Sequence, residues 1–364
     1  MHRALAFHGA VLVACSLCGA LACGDLVIPS NGSDDGGSSS DLSDDAAGDA
    51  LPPASCDAGV EPVALACTGL YADWTHLTLA PDVQTFTPGA TMWLDGADAT
   101  RWIWLPAGSK IDASDPNNWS FPVGTKIWQE IRLLGQRIET RYETKQAAGV
   151  WFRTTFAWNV TETAAPSLMT GQTSARGLPY DVPSVAQCGQ CHDGAGDFVL
   201  GFDAVSLAMP KSAGLNLQAL RQMQMIAHDR GGMPAVPGDP TTAAALSFLH
   251  ANCGTSCHNR GPDAAGGATG LFLKLTLDGS GKLASSASQT DAWLTSVNVP
   301  SSLTPYGVDA GGFWRVRPGD PAHSSIVWTA SRRDGVVQMP PIDTQLVDQN
   351  DVQLLTGWVS AIPR

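Results

Sequence analysis

Two clusters in this chain bring together residue types fit for covalent chemistry: Cys188-Gly189-Gln190-Cys191-His192, and Cys253-Gly254-Thr255-Ser256-Cys257-His258. The first has the C-x-x-C-H spacing of c-type haem attachment. There, two thiols add to the haem vinyl groups and the next histidine is held under the iron as its proximal ligand. The second cluster has one residue more, C-x-x-x-C-H, and beside the first it reads as a second haem site. A zinc site or a disulfide is the alternative. Zinc asks for four Cys/His ligands, and an oxidised cysteine pair gives His192 and His258 no reason to follow directly. The expected cofactor is therefore haem c, two per chain. Cys188, Cys191, Cys253 and Cys257 form the thioether bonds, and His192 and His258 are the proximal ligands.

Distal ligands are sought among soft or imidazole donors. Met339, in Gln338-Met339-Pro340-Pro341, suits the second iron: a thioether raises the potential of haem iron, and two prolines stiffen the segment after it. For the first iron Met209, Met233 and His228 all lie within reach. Met233, in Gly231-Gly232-Met233-Pro234, is preferred, with His228 next. His250 reads as a structural histidine, and His76 and His323 have no supporting context.

The N-terminus fits export. A basic start, Met1-His2-Arg3, precedes an apolar run from Ala4 to Val13 that is too short to cross about 30 Å of hydrocarbon. This reads as a signal peptide over residues 1–22, with Cys23 as the lipidated first residue of the mature chain and Cys15 as the competing site. Residues 23–62 then form a disordered tether of Asp, Ser and Gly, with little to bury. Cys56 and Cys67 remain as a disulfide suited to an oxidising compartment. The formal charge of −13 falls to −7 without residues 1–50, which hold seven Asp and one Arg. A mildly acidic domain with no basic stripe is a poor nucleic-acid binder.

The motifs must be positioned by what surrounds them. Residues 63–165 are rich in aromatic and β-branched residues, hold eight of the twelve Trp, and predict strands at 101–105, 125–133, 136–144 and 150–159. Residues 166–238 form the first haem-binding region, with a helix at 215–227. Residues 239–364 predict a cytochrome c-like domain with an insertion at 261–314 that carries a strand near 269–277. Asp239 and Pro240 open a helix whose stripe, Ala245, Leu249 and Cys253, delivers the second motif to the core. Asp348 caps a terminal helix with Val352, Leu355, Val359 and Ile362 on one face. The expected fold class is α+β and multidomain: an N-terminal antiparallel β-sandwich-like domain, followed by mostly α-helical cytochrome c-like haem domains.

From about Cys67 to the end, the chain resembles a family of dihaem, cytochrome c-like lipoproteins of myxobacteria and planctomycetes. Its marks are Leu70-Tyr71-Ala72-Asp73, Trp93-Leu94-Asp95-Gly96-Ala97, Phe121-Pro122-Val123-Gly124-Thr125, Arg137-Ile138-Glu139-Thr140-Arg141, Val199-Leu200-Gly201-Phe202, Leu249-His250-Ala251-Asn252-Cys253, Arg317-Pro318-Gly319-Asp320-Pro321 and Gln338-Met339-Pro340-Pro341. The resemblance implies haem binding and electron transfer with no secure substrate. Relatives carry C-x-x-C-H at the second site, from which this chain departs. The expectation is an envelope-anchored electron carrier, periplasmic or at the cell surface, whose partners are other redox proteins and, through its acylated cysteine, the lipid membrane. A dihaem peroxidase or oxidase, the electron-accepting subunit of a dehydrogenase, and a ligand-binding β-domain with an accessory haem module are the alternatives.

Overall fold

Aromatic and β-branched residues alternating through the first third of the chain build an antiparallel sheet in the computed structural model, which describes Cys56, residues 61–303, Pro305 and residues 312–364. The signal peptide, Cys23 with the alternative Cys15, and most of the tether lie outside the described residues. A small hairpin of β1 (Tyr71–Asp73) and β2 (Thr78–Leu79) comes first, followed by β3 (Gln84–Thr87), β4 (Asp98–Trp104), β5 (Ile111–Asp112), β6 (Lys126–Leu133), β7 (Gln136–Ala147) and β8 (Val150–Ala157). Two short strands arrive from later in the chain, β9 (Ala213–Gly214) and β10 (Ile226–Ala227). The main sheet has six strands in the order β8-β7-β6-β4-β3-β9, and β10 pairs in parallel with β5.

Side chains alternate across a sheet, and the register separates two environments. On one face Trp102, Trp128 and Tyr142 lie opposite one another across β4, β6 and β7, packed with Phe152 and Phe156. On the other face Ile103, Ile127, Glu143 and Arg153 follow in register across β4, β6, β7 and β8. That face of β7 carries Glu139, Arg141, Glu143 and Lys145. Glu139 is fully buried, Glu143 and Lys145 nearly so.

Among the described residues the α-helices are α1 (Val185–His192), α2 (Ala204–Ala208), α3 (Leu217–Gln222), α4 (Pro240–Leu249), α5 (Asp291–Leu294), α6 (Ser325–Ala330) and α7 (Gln349–Ala361). Two of their caps are those read in the sequence. Asp239 accepts from the Thr241 and Thr242 amides at the start of α4, and Asp348 from the Asn350 and Asp351 amides at the start of α7.

The fold-class expectation is overturned. Of the described residues 25% are helix and 20% strand, the largest element among them is the six-stranded antiparallel sheet, and they include no mostly α-helical cytochrome domain. Nor, among the described residues, do two sheets face each other as in a sandwich. The packed pair α4 and α7 is the part of the helical frame that is present. The physical reasons are local. The helix expected over 215–227 stops at Gln222, because Gln224 adopts a left-handed φ of 56° and the chain then turns into β10. Over 269–277 the buried alternation of a strand is present, at Leu273, Leu275 and Leu277, but their amides donate to the His258 carbonyl, His250 Nδ1 and Asn117 Oδ1 instead of a neighbouring strand. One core runs through both halves: Phe86, Ile103 and Ile127 pack in the same cluster as Leu246, Leu249, Leu355, Trp358 and Val359. Cys56 and Cys67 are disulfide-bonded, their Cα atoms 5.2 Å apart.

Candidate functional site

The first motif sits on α1, which packs against β8. Ser184 opens that helix through a capping box: its hydroxyl accepts from the Gln187 amide at 3.4 Å, and the Gln187 side chain accepts from the Ser184 amide at 2.9 Å. The last turn then presents Cys188, Cys191 and His192 together, both thiols partly exposed. Phe198, just beyond the helix, turns its carbonyl onto the ring. His192 Nδ1 donates to it at 2.7 Å, which fixes the tautomer and leaves the Nε2 lone pair unused. Burial, and then the Arg153 guanidinium, push the imidazole down to about 3, so it is neutral near pH 7. Glu143 Oε2 lies 3.4 Å from the same ring nitrogen, without making a true ion pair. Burial has pushed that carboxyl up to about 7, against the opposing charge of Arg153.

The second motif begins where α4 ends. From His250 to Gly254 the helix widens into a π turn, in which the Thr255 amide reaches the His250 carbonyl at 2.9 Å. The His258 amide likewise reaches the Cys253 carbonyl, five residues back, at 2.7 Å. In α1 the regular i→i+4 pattern brings the His192 amide onto the first cysteine of its own motif. The extra residue of C-x-x-x-C-H is therefore absorbed as a π insertion, a device frequent at functional sites.

Asn252 anchors this turn to the loop before β4. Its side chain accepts from the Trp93 amide at 2.7 Å and donates to the Thr91 carbonyl at 3.1 Å. His250 is fully buried. Its Nδ1 accepts from the Leu275 amide and its Nε2 faces Ser206 and Asp203 at 3.3 and 3.5 Å, a structural role. His258 is less completely supported than His192. The Leu271 backbone lies against its ring, yet no hydrogen bond of good geometry reaches the buried Nδ1. Burial lowers its pKa, and it too is neutral.

The two motifs, far apart in sequence, meet. Gly194, just past α1, lies so close to the Ser256 carbonyl that a Cβ there would stand 1.9 Å from the oxygen. Asn259 donates to the Gly194 carbonyl at 3.0 Å, and Cys257 Sγ lies 3.8 Å from the Gln190 carbonyl. The Cys191 and Cys257 thiols perturb each other, which raises Cys191 and lowers Cys257. Cys188 and Cys253 have separate surroundings. Cys188 donates to the Ser184 carbonyl at 3.4 Å, while burial first, and then Cys257 and Asp351, push the Cys253 thiol up to about 12.

The distal candidates are more scattered. Met339 is partly buried, and its amide donates to the Thr329 carbonyl at 3.0 Å. Asp343, four residues on, pairs with Arg141 at 2.8 Å beside Glu139 and Tyr180. The methionine segment is thus tied to the charged face of β7, on which the first motif also rests. Met233 is 56% exposed and its Sδ accepts from Arg221 Nη1 at 3.1 Å, while His228 pairs with Asp112 at 2.9 Å. Met209 is core, packed on Gly89. His76 and His323 pair with Asp73 and Asp320.

Sequence reasoning missed Glu143, Arg153 and the Phe198 carbonyl around His192, and Arg141 with Asp343 beside the first motif. The available signal was charge at alternate positions of β7, a pattern that ordinarily marks a solvated face.

Among the described residues no group of three or more His, Cys, Asp or Glu side chains is placed to hold a metal ion. A zinc site made from the two motifs is not formed. Haem asks less of the protein: one imidazole nitrogen, since the porphyrin supplies four ligands, and two reachable thiols. The donors around His192 fit that demand, with partly exposed thiols, a neutral ring and Nδ1 held by a carbonyl. The second motif meets it except for the bond at Nδ1. No helix among the described residues is long and apolar enough to cross a membrane. No protein-family model matches this chain, and no curated protein and no solved structure matches it either.

Proposed function

We propose that the chain is a c-type, dihaem electron carrier of the cell envelope, anchored through an acylated Cys23. The observation that carries the reading is that each motif pairs two reachable thiols with an adjacent imidazole kept neutral by burial. Haem c bound at these motifs would supply reversible one-electron chemistry. The chain's own residues do the rest. Cys188 and Cys191, and Cys253 and Cys257, hold the groups. His192, oriented by the Phe198 carbonyl, and His258 present their ring nitrogens. Glu143 and Arg153 fix the electrostatics beside His192. Met339 is proposed as the distal sulfur of the second site. Met233 is left out, because Arg221 engages its sulfur. The partners are other envelope redox proteins.

Spectroelectrochemical titration of protein matured with haem-attachment machinery tests this. Reversible one-electron steps, a lower potential for one haem in Met339→Ala, and negligible wild-type turnover of peroxide are expected. Vigorous peroxide turnover by the wild type would replace the carrier with an enzyme.

A further inference from the structure

The contact between the two motifs points to chemistry that neither has alone. Cys191 lies in the last turn of α1, and Cys257 follows the π turn. Cys257 Sγ lies 3.8 Å from the carbonyl of Gln190, the residue before Cys191, and the backbones on either side are locked by the Gly194–Ser256 approach and the Asn259 side chain. The other two thiols are turned away: Cys188 donates to its own helix, and Cys253 packs on the main core. We propose that Cys191 and Cys257, one from each motif, close a disulfide in the folded haem-free chain, making the junction a redox-labile modification site. Its formation takes one thiol from each motif, so a single bond withdraws both motifs from two-thioether attachment until a reductant opens it.

The step balances as thiol–disulfide exchange. A disulfide oxidant, represented by oxidised glutathione, gives up its own S–S bond. One sulfur–sulfur bond forms between Cys191 and Cys257, two electrons pass to the oxidant, and the two thiol hydrogens end on two glutathione molecules. The proposal rests on the contact between the two motifs and stands whether or not the chain binds haem.

The test uses the full chain, produced without haem-attachment machinery, treated with oxidised glutathione while folded, alkylated, and digested with trypsin without reduction. Each motif lies whole within one tryptic peptide, 177–211 or 231–260. The expected product is the two peptides joined, two hydrogens lighter than their sum, and separated by reductant. Cys257→Ser should abolish the joined product and leave Cys191 alkylated, whereas Cys188→Ser should keep it. Two separate peptides, each two hydrogens lighter, would place the bonds within the motifs and overturn the proposal. So would four alkylated cysteines, or a joined product that survives in Cys257→Ser.

Discussion

At the scale of single residues, the environment of His192 separates it from the other histidines. His76, His228 and His323 pair with exposed or half-exposed aspartates, and His250 is buried with both ring nitrogens committed. Among the described histidines, only around His192 do a carbonyl, a carboxyl and a guanidinium converge beside two thiols. Glu143 gives a measurable consequence. Its carboxyl titrates near 7 in the folded chain against 4.5 unfolded, so between those values the folded form keeps a proton that the unfolded form has lost. Stability therefore falls as pH rises through that window, by at most about 3 kcal/mol. In Glu143→Gln the group cannot ionise, and urea unfolding at the two ends of the window should show that fall removed. An unchanged pH slope would mean that the carboxyl is not held protonated. None of this was legible from sequence. Cys188, Cys191 and His192 announce themselves by spacing, but which charges face them depends on the register of β7 against β6 and β8.

At the scale of elements, local chemistry wrote the helix starts and left the helix lengths open. Ser184, Asp239 and Asp348 are caps whose partners follow within three residues; Asp239 and Asp348 sit where short-range reasoning puts them, and Ser184 was not read as a cap. Asp348→Ala should lower stability by about 1 kcal/mol, read as a reduced denaturant midpoint with haem content unchanged; altered haem content would tie the α7 cap to the motifs. Four strands of the central sheet, β4, β6, β7 and β8, were legible for the same reason, since their alternation is local; β3 and β9 were not. The π turn was not, because widening a helix by one residue leaves no mark except the odd spacing itself. Deleting Thr255 should restore an ordinary turn and the C-x-x-C-H spacing. Haem content equal to or above that of the parent is expected, and a fall to a single haem would show that the π turn is needed.

At the scale of the whole molecule, sequence texture suggested separate β and helical domains, whereas the core joins the sheet to α4 and α7. Long-range pairings made the difference: β9 and β10 are two-residue strands that no periodicity signals, yet they tie residues after the first motif to β3 and β5. A shared core predicts shared unfolding. Ile103→Ala, at a fully buried position of β4, should cost about 2–5 kcal/mol and lower hydrogen-exchange protection in α4 and α7 together with the sheet. Loss confined to the sheet would restore independent domains.

Covalent haem at both clusters has a direct readout in a haem count. Protein matured with haem-attachment machinery, denatured and quantified by pyridine haemochrome against protein mass, should carry two haems per chain. It should carry one when Cys188 and Cys191 are both replaced by Ala, and one when Cys253 and Cys257 are. A count of zero would contradict the account outright, and a count of one that disappears only with the first pair would reduce the second motif to a structural turn.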